Sequence, residues 1–166
     1  MLIRPTSGEL SIDGQSVGDD PGGLRQHIGV LSHNSYLYDS LSARENLRFY
    51  GRMYGVKSPP ERADELLEQV GLTLFANDPV RTFSRGMIQR LAIARAVIHD
   101  PKVLLLDEPY TGLDQHATSI LNSVLEGAKA SGKTVFMISH NFHEGLAYAD
   151  WAGIIVRGKF ALYEPA

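Results

Sequence analysis

The sequence lacks cysteine altogether, which excludes disulfide bonds and metal sites built from thiolates. It also lacks a long apolar run, since no stretch approaches the roughly 18 to 20 residues that a membrane-spanning helix requires. Positive charge is scarce as well, because 16 Lys and Arg residues are outnumbered by 19 Asp and Glu residues. A chain without a basic field is not expected to have nucleic acid as its main partner. Its 166 residues suffice for one domain with a core of its own.

The most informative stretch is residues 82–114, where a helix is predicted to precede a central strand. Ser84 is a good helix N-cap, and the residues after it have helical period. The apolar positions are Met87, Leu91, Ala94 and Ile98, and the polar positions Arg85, Gln89, Arg90 and Arg95 fall mostly elsewhere. Asp100 and Pro101 then end the helix, and the apolar residues 103–106 predict a strand covered on both faces.

Two adjacent carboxylates, those of Asp107 and Glu108, follow that strand directly. Open α/β sheets place their ligand chemistry at the carboxyl ends of the strands. Because successive side chains on a strand point to opposite sides, we expect Asp107 to face a Mg²⁺ ion, while Glu108 faces another part of the site and polarises a water molecule. The alternative is an ordinary strand end with two solvated acids.

These residues resemble three motifs of the ATP-binding subunits of ABC transporters. The sequence FSRGM at residues 83–87 is similar to the signature motif of that family, LLLDEP at 104–109 to its Walker B motif with the catalytic Glu, and TGLD at 111–114 to its D-loop. The resemblance extends over nearly the whole chain. It implies an α/β fold, an incomplete P-loop NTPase with a largely parallel core sheet, a helical subdomain and peripheral hairpins.

Two further apolar strands are predicted to end at histidines. Residues 28–32 lead to His33, and residues 134–139 lead to His140. The resemblance implies that His33 stands where the family has the Gln of its Q-loop, and that His140 is the switch His that contacts the γ-phosphate. The alternative for each is a structural or surface His at a strand end. Together with the two carboxylates, the imidazoles are expected at one rim of the sheet.

The region between the first two apolar strands is predicted to be helical. Helices are expected to begin near Leu41 and at Ser58, with Gly71 closing the second. The resemblance implies that residues 34–100 form the helical subdomain of a single domain, residues 1–166. Aromatic residues concentrate there, and we expect most in the core and some in a groove that receives a coupling helix of a membrane partner. They are Tyr36, Tyr38, Phe49, Tyr50 and Tyr54.

Short hairpins are predicted near both ends of the chain. Residues 9–13 alternate as a strand that residues 13–14 turn back, and residues 151–163 read as a closing hairpin with its turn at residues 157–158. A further helix, residues 114–130, is expected between the second and third apolar strands.

A phosphate-loop pattern, G-x-x-x-x-G-K-[ST], occurs at residues 127–134 but stands in the wrong context. A phosphate-cradling loop leaves a strand and enters a helix, whose N-terminus offers N–H groups and a positive dipole. Residues 127–134 are predicted to do the reverse, so we expect Lys133 to cap helix carbonyls instead. The resemblance then implies that residues 1–4 end the helix that follows the missing cradle, so that the chain is truncated at its N-terminus.

The resemblance implies an ATPase that powers a membrane-spanning partner from the cytoplasmic face of the cell membrane. ATP and Mg²⁺ are the expected ligands, with Glu108 and His140 catalytic and Asp107 holding the metal. The nucleotide-binding residues are expected to be Ser84, Arg85, Gly86, His33 and Asp114. Because dimers of the family are head to tail, the Ser84 end of its helix is expected to close over ATP held by a second ATP-binding subunit. The other expected partner is an ABC transmembrane subunit.

Three functional alternatives follow from the sequence. Residues 30–55 and 82–101 look most like exporters, in particular the haem-exporter ATPases of cytochrome c maturation, which also carry a His in place of the Q-loop Gln. A second alternative is a catalytically inactive, truncated module that supplies only the signature face. A third is a soluble ABC ATPase acting on ribosomes or DNA, which would need a basic patch or a long insertion that the sequence does not show.

Overall fold

The computed structural model of the chain describes residues 6–12, 14–17, 21–140 and 145–166, with Pro21 and Gly22 described by their backbone. In chain order its elements are β1 (Ser11–Ile12), β2 (Gln15–Ser16), α1 (Pro21–Arg25), β3 (Ile28–Leu31), α2 (Ala43–Met53), α3 (Pro59–Gln69), α4 (Arg85–Val97), β4 (Val103–Asp107), α5 (Gln115–Ala130), β5 (Thr134–Ile138), β6 (Trp151–Val156) and β7 (Lys159–Pro165). Two 3-10 turns, Thr73–Phe75 and Val80–Thr82, lie between α3 and α4. No helix in these ranges combines the length and the apolar character needed to cross a membrane.

Three parallel strands form the central sheet, in the order β3, β4, β5. β3 pairs with β4 from Ile28 opposite Val103, and β4 pairs with β5 as far as Asp107 opposite Ile138. Helices lie between these strands along the chain, as parallel pairing requires. The predicted α/β fold with a parallel core sheet is therefore confirmed, and the carboxyl ends of all three strands lie at the same edge.

The two faces of this sheet are covered unequally. Leu104 and Leu106 of β4 are 2% and 4% exposed and belong to the main core. On the opposite face, Val30, Phe136 and Ile138 are 37%, 59% and 53% exposed. The prediction that the strand at residues 103–106 is covered on both faces is wrong, because Val103 and Leu105 are only partly buried on the face that the described elements leave open.

Helices α2, α3 and α4 contribute most of the core, and their starts follow the predicted signals. Ser42 and Glu45 form a capping box at the start of α2, in which Ser42 Oγ accepts the Glu45 N–H at 3.2 Å. α3 begins with two prolines in its first turn, and Gly71, with φ +65°, follows its end. Large, fully buried core residues include Leu47, Leu66, Leu67, Leu72, Leu91, Ile93 and Ile98.

Helix α4 begins where the sequence predicts but is buried differently. Ser84 is its N-cap, and the Ser84 Oγ accepts the N–H of Met87 at 3.3 Å. From Leu91 to Ala96 every residue is buried, including Arg95, which is 5% exposed. The expectation that its basic residues lie away from the buried side is wrong at Arg95, because α4 is sandwiched between the sheet and the helices α2, α3 and α5.

The aromatic residues of the helical region are less buried than predicted. Tyr36, Tyr38 and Phe49 are 55%, 48% and 38% exposed, whereas Tyr50 is 8% exposed. Phe49 makes edge-to-face contacts with Tyr38 and Tyr50, at centroid distances of 5.1 and 5.3 Å. The expectation that most of these side chains lie in the core is therefore wrong, and several of them form a surface.

Residues 127–134 run from the end of α5 to the start of β5. This is the predicted order, helix then strand, for which the phosphate-loop match was rejected. The backbone N–H of Lys133 donates to the Ala128 carbonyl at 2.9 Å, so the main chain satisfies this helix end. The ammonium group of Lys133 pairs with the carboxylate of Asp100. The expectation that the Lys133 side chain caps helix carbonyls is wrong, because its ammonium group pairs with a carboxylate instead.

Both predicted hairpins are present. β6 and β7 pair antiparallel. The turn residues Arg157 and Gly158 have φ values of +50° and +76°, and a type I′ hairpin turn requires positive φ at both of its central residues. β1 and β2 also pair antiparallel, with Gly14 between them at φ +74°. Asp13 lies outside the described residues, and so do residues 1–4, which were expected to end a helix.

Candidate functional site

The three parallel strands and the first turn of α4 border a cleft of about 660 Å³ at one edge of the sheet. The carboxyl ends of β3, β4 and β5 bring His33, Asp107, Glu108 and His140 to this cleft, and α4 brings Arg85. Five of the eight predicted site residues therefore line one space. This location is the one that an open parallel sheet provides for a ligand.

Glu108 stands just beyond β4 with a left-handed backbone, φ +51°. Its N–H donates to the carbonyl of Ile138 at 2.8 Å, which ties it to the end of β5. The predicted reason for the separate directions of Asp107 and Glu108, alternation along a strand, does not hold, because Glu108 has left the strand. The positive φ, uncommon outside glycine, aims its side chain toward β5 instead.

The Glu108 carboxylate meets His140 at two points. His140 Nδ1 lies 2.6 Å from Glu108 Oε2, and the backbone N–H of His140 donates to Oε1 at 2.9 Å. Thr111 Oγ1 makes a longer contact with Oε2 at 3.4 Å. These hydrogen bonds, with that of the His140 side chain foremost, hold the pKa of Glu108 below its ordinary value. The carboxylate is thereby kept ionised, and the His140 Nε2 is the ring nitrogen left to meet a ligand.

Asp107 is exposed at the end of β4 and lines the same cleft. Within the described ranges, no three His, Asp or Glu side chains come together as a self-sufficient metal site. A single exposed carboxylate suits Mg²⁺, which is held in many enzymes by one or two carboxylates together with substrate phosphates and waters. The residues present therefore fit a nucleotide-bound Mg²⁺ rather than a resident metal.

A second group of predicted residues lies beside the cleft, where α4 begins. A Cβ added at Gly86 would stand 2.8 Å from the Asp114 carboxylate, so these two residues are in close approach. Asp114 is the N-cap of α5, and its Oδ1 accepts the Ala117 N–H at 2.7 Å. Ser84, Gly86 and Asp114 thus share one corner but do not line the cleft itself.

Arg85 connects the two groups. Its guanidinium lies over Gly112, where an added Cβ would be 2.4 Å from Nη2. Gly112 has φ +75°, a backbone conformation that favours glycine. Arg85 therefore packs against the loop that carries Asp114 while facing the cleft.

The sequence reasoning passed over Gln89 and Thr111, which also line the cleft. The Gln89 Nε2 donates to the Thr111 carbonyl at 3.3 Å, which ties α4 to the loop after β4. A signal was available, because Gln89 lies four residues after Arg85 and so shares its face of the helix. Thr111 carries no such signal, since its contact with Glu108 depends on the turn.

Comparison with known proteins identifies relatives of this chain. The sequence model of one family, ABC transporter, matches residues 1–111. The chain is 37% identical over 161 residues to the ABC transporter ATP-binding protein NatA of Bacillus subtilis, covering 95% of this chain and 65% of NatA. It is 36% identical over 160 residues to the Nod factor export ATP-binding protein I of Cupriavidus pinatubonensis, covering 95% of this chain and 49% of that protein.

Solved structures give the same result. An ATP-binding subunit of an ABC transporter superposes with a TM-score of 0.91 at 27% identity, covering 99% of this chain and 69% of that one. The dimeric ATP-binding cassette MJ0796 bound to ADP and Pi superposes with a TM-score of 0.85 at 27% identity, covering 99% of this chain and 75% of that one. The chain spans about half to two thirds of the curated relatives described above. With the family match extending over residues 1–111, the chain belongs to the ABC transporter family as an ATP-binding domain.

Proposed function

We propose that this chain hydrolyses ATP as part of an ABC transporter and that its catalytic pair is Glu108 and His140. The observation that carries the proposal is the two-point contact between them, at 2.6 and 2.9 Å, at the carboxyl edge of a parallel sheet. A carboxylate held ionised in a cleft can accept a proton from, or orient, an attacking water molecule. The family hydrolyses ATP, and this geometry supplies the groups to do so.

The other cleft residues take supporting roles in this proposal. Asp107 contributes a carboxylate to Mg²⁺, which supplies charge neutralisation for the phosphates when bound. The Nε2 of His140 meets the γ-phosphate, while Nδ1 stays on Glu108 and so fixes the tautomer or charge of the ring. His33, exposed at the end of β3, faces the same space and can accept or donate a hydrogen bond there.

The Ser84 corner is proposed to serve a second nucleotide. The first turn of α4 presents free N–H groups and the positive end of a 13-residue helix, with Arg85 adding charge. Gly86 allows close backbone approach. Asp114 stands in the same corner. Because Ser84, Gly86 and Asp114 do not line the cleft of Glu108, we propose that this corner closes over ATP bound by a second subunit, head to tail. The dimeric form of the similar MJ0796 cassette supports this arrangement.

The phosphate cradle is proposed to lie outside residues 127–134. Those residues follow a helix end rather than precede a helix start, so the dipole there favours cations. In the same proposal, residues 34–100 act as the helical subdomain of a single domain. The exposed Tyr36, Tyr38 and Phe49 form part of the surface that contacts a transmembrane subunit at the inner face of the membrane.

The transported substrate is proposed to be exported. Support comes from the names of relatives, which include Nod factor export and daunorubicin resistance proteins. Haem stands as one candidate substrate on the likeness of residues 30–55 to haem exporters and on His33. The names of the relatives above point to other cargoes, so haem is the narrower proposal.

ATP hydrolysis by the full-length protein in its membrane complex tests this function. We expect turnover that Glu108→Gln abolishes, while exposed Glu126→Gln leaves it unchanged. If the chain assembles with its membrane partner but the complex does not hydrolyse ATP, the catalytically inactive module is favoured instead. Export of a labelled haem analogue from membrane vesicles, compared with an unrelated amphipathic dye, separates the narrower proposal from the broader one.

A further inference from the structure

Arg95 is a buried cation that the catalytic proposal does not use. It is 5% exposed, and the contacts of its guanidinium are with a carbonyl and with two aromatic rings. Its Nη2 donates to the Val30 carbonyl at 2.7 Å. Burial lowers the pKa of Arg95. Burying a guanidinium costs free energy, so the groups that Arg95 contacts indicate its role.

The Val30 carbonyl belongs to an edge of the sheet that no described strand covers. The carbonyl of His27 accepts the N–H of Val103 at 3.0 Å, so it points toward β4. Carbonyl directions alternate along a strand, and those of Ile28 and Val30 therefore point away from β4. These are the two that need partners from outside the sheet.

α4 and the residues just after it supply both partners. Arg95 binds the Val30 carbonyl, and His99 Nε2 lies 3.1 Å from the Ile28 carbonyl. Four residues of helix rise about 6 Å, and two residues of strand advance about 6.6 Å, so the two spacings match. The order of the contacts shows that α4 runs antiparallel to β3. Its first turn therefore lies toward the end of β3 that leads to His33.

Arg95 also holds the far end of the loop that carries His33. Its guanidinium lies 5.6 Å from the ring centroids of both Tyr36 and Tyr50. The Tyr50 hydroxyl donates to the Tyr36 carbonyl, and Tyr36 has φ +53°. One side chain, that of Arg95, thus fixes the loop from Ser32 to Tyr36 at both ends. It binds Val30 just before the loop and Tyr36 at the end of the loop.

We propose that Arg95 is a positioning residue, which holds both ends of the His33 loop and so sets where that imidazole stands relative to the first turn of α4. His99 adds the second bond along the same edge and fixes the register of α4 on β3. The catalytic consequence rests on the function proposed above, in which His33 faces the nucleotide. The positioning itself does not depend on it.

Amide hydrogen exchange and the His33 imidazole resonance, both measured by NMR on this chain without nucleotide, test the positioning. In Arg95→Met we expect the amides of residues 32–36 to exchange about tenfold faster than in wild type, beyond any acceleration due to lower global stability, as the loss of one hydrogen bond predicts. We also expect the His33 imidazole resonance to shift. Arg95→Lys should recover part of both signals, because an ammonium can donate to the Val30 carbonyl but cannot stack as a plane. The matched control is Arg90→Met.

Arg90 lies on the same helix and also donates to carbonyls, but these belong to Val70 and Gly71, which follow α3 rather than lie in β3. Its loss should lower stability without changing the His33 signals. If Arg95→Met changes stability alone, or if Arg90→Met moves the His33 resonance equally, the proposal is overturned. Should Arg95→Met fail to fold, Arg95→Lys decides, and His33 signals identical to wild type then overturn it.

The same variants in the full-length transporter separate this inference from the proposed function. Arg95→Met should lower kcat more than it changes the KM for ATP, because His33 would be displaced rather than nucleotide lost. A wild-type complex without ATPase activity contradicts the function and leaves the NMR result standing. Normal ATPase activity with unmoved His33 signals in Arg95→Met contradicts the positioning and leaves the function standing.

Discussion

His140 Nδ1 lies 2.6 Å from one oxygen of Glu108, and the His140 backbone N–H donates to the other oxygen at 2.9 Å. A residue that follows one strand thus holds a carboxylate that follows the neighbouring strand. Because both oxygens are engaged, the Glu108 side chain has one orientation in the cleft. Any movement of the end of β5 would also move this carboxylate.

Replacing Glu108 with Gln should remove turnover and keep nucleotide binding. The amide preserves the shape of the side chain but cannot act as a base, so we expect the ATPase rate of the full-length complex to fall at least about a hundredfold. Nucleotide affinity, measured with fluorescent ATP, should change little. Glu126→Gln on the exposed face of α5 is the matched control, and equal losses in the two variants would contradict the assigned role.

The stability of the chain should depend on the ionisation of Glu108 in acid. Its pKa in the folded chain lies below the ordinary value of 4.5, so its stabilising contribution is complete above that value and is lost as the pH falls through the folded pKa. Urea unfolding from pH 7 to pH 3 should therefore show a steeper loss for wild type than for Glu108→Gln. Parallel curves would show that the carboxylate gains nothing from His140.

His99 should make stability fall on mild acidification. Burial lowers the pKa of His99 below the ordinary 6.5, and a carbonyl partner requires that its Nε2 carry the proton. The stabilisation is complete above pH 6.5 and decreases as the pH falls from there toward the folded pKa, because the unfolded chain binds the proton first.

The comparison of His99→Phe with wild type tests this dependence. Phe keeps the stack on Tyr54, whose ring lies 3.9 Å from that of His99, but cannot titrate. Thermal unfolding at pH 7.5 and pH 5.5 should show a smaller pH effect in the variant. His116→Gln, which removes an exposed imidazole, should leave the wild-type dependence in place, and a flattened dependence there would count against His99.

Two glycines in helices should respond oppositely to replacement by Ala. Gly127 of α5 would place its new Cβ in open space as far as the described residues go, so Gly127→Ala should stabilise the chain by roughly 0.5–1 kcal/mol. An added Cβ at Gly86 of α4 would lie 2.8 Å from the Asp114 carboxylate. We therefore expect this contact to outweigh the gain in helix propensity, so that Gly86→Ala lowers the stability of the chain. Chemical unfolding measures the stability of both variants, and a Gly86→Ala variant more stable than wild type would show that the Ser84 corner is loosely packed.

Much of the fold could be predicted because its signals are local. Ser84, Pro59 and Gly71 mark helix ends through their own local chemistry, and the apolar runs before His33, Asp107 and His140 mark the strands. Since parallel strands end at one edge, the meeting of these polar residues followed from connectivity alone. The roles given to them still rest on the family resemblance and on the proposals above.

Contacts that depend on distant parts of the chain could not be predicted. The burial of Arg95 depends on β3, 65 residues away in sequence, and on two aromatic rings. The approach of Glu108 to His140 depends on a left-handed backbone that no residue preference at Glu indicates. The exposed side chains of β5 depend on what covers the sheet, and strand periodicity does not report that.

The open face formed by Val30, Phe136 and Ile138 sets a practical condition for work on this chain in solution. Apolar side chains wetted on a flat surface favour self-association, and the tendency grows with protein concentration and with salting-out ions. Light scattering should therefore rise with ammonium sulfate at constant pH, and a charged residue in place of Phe136 should suppress the rise.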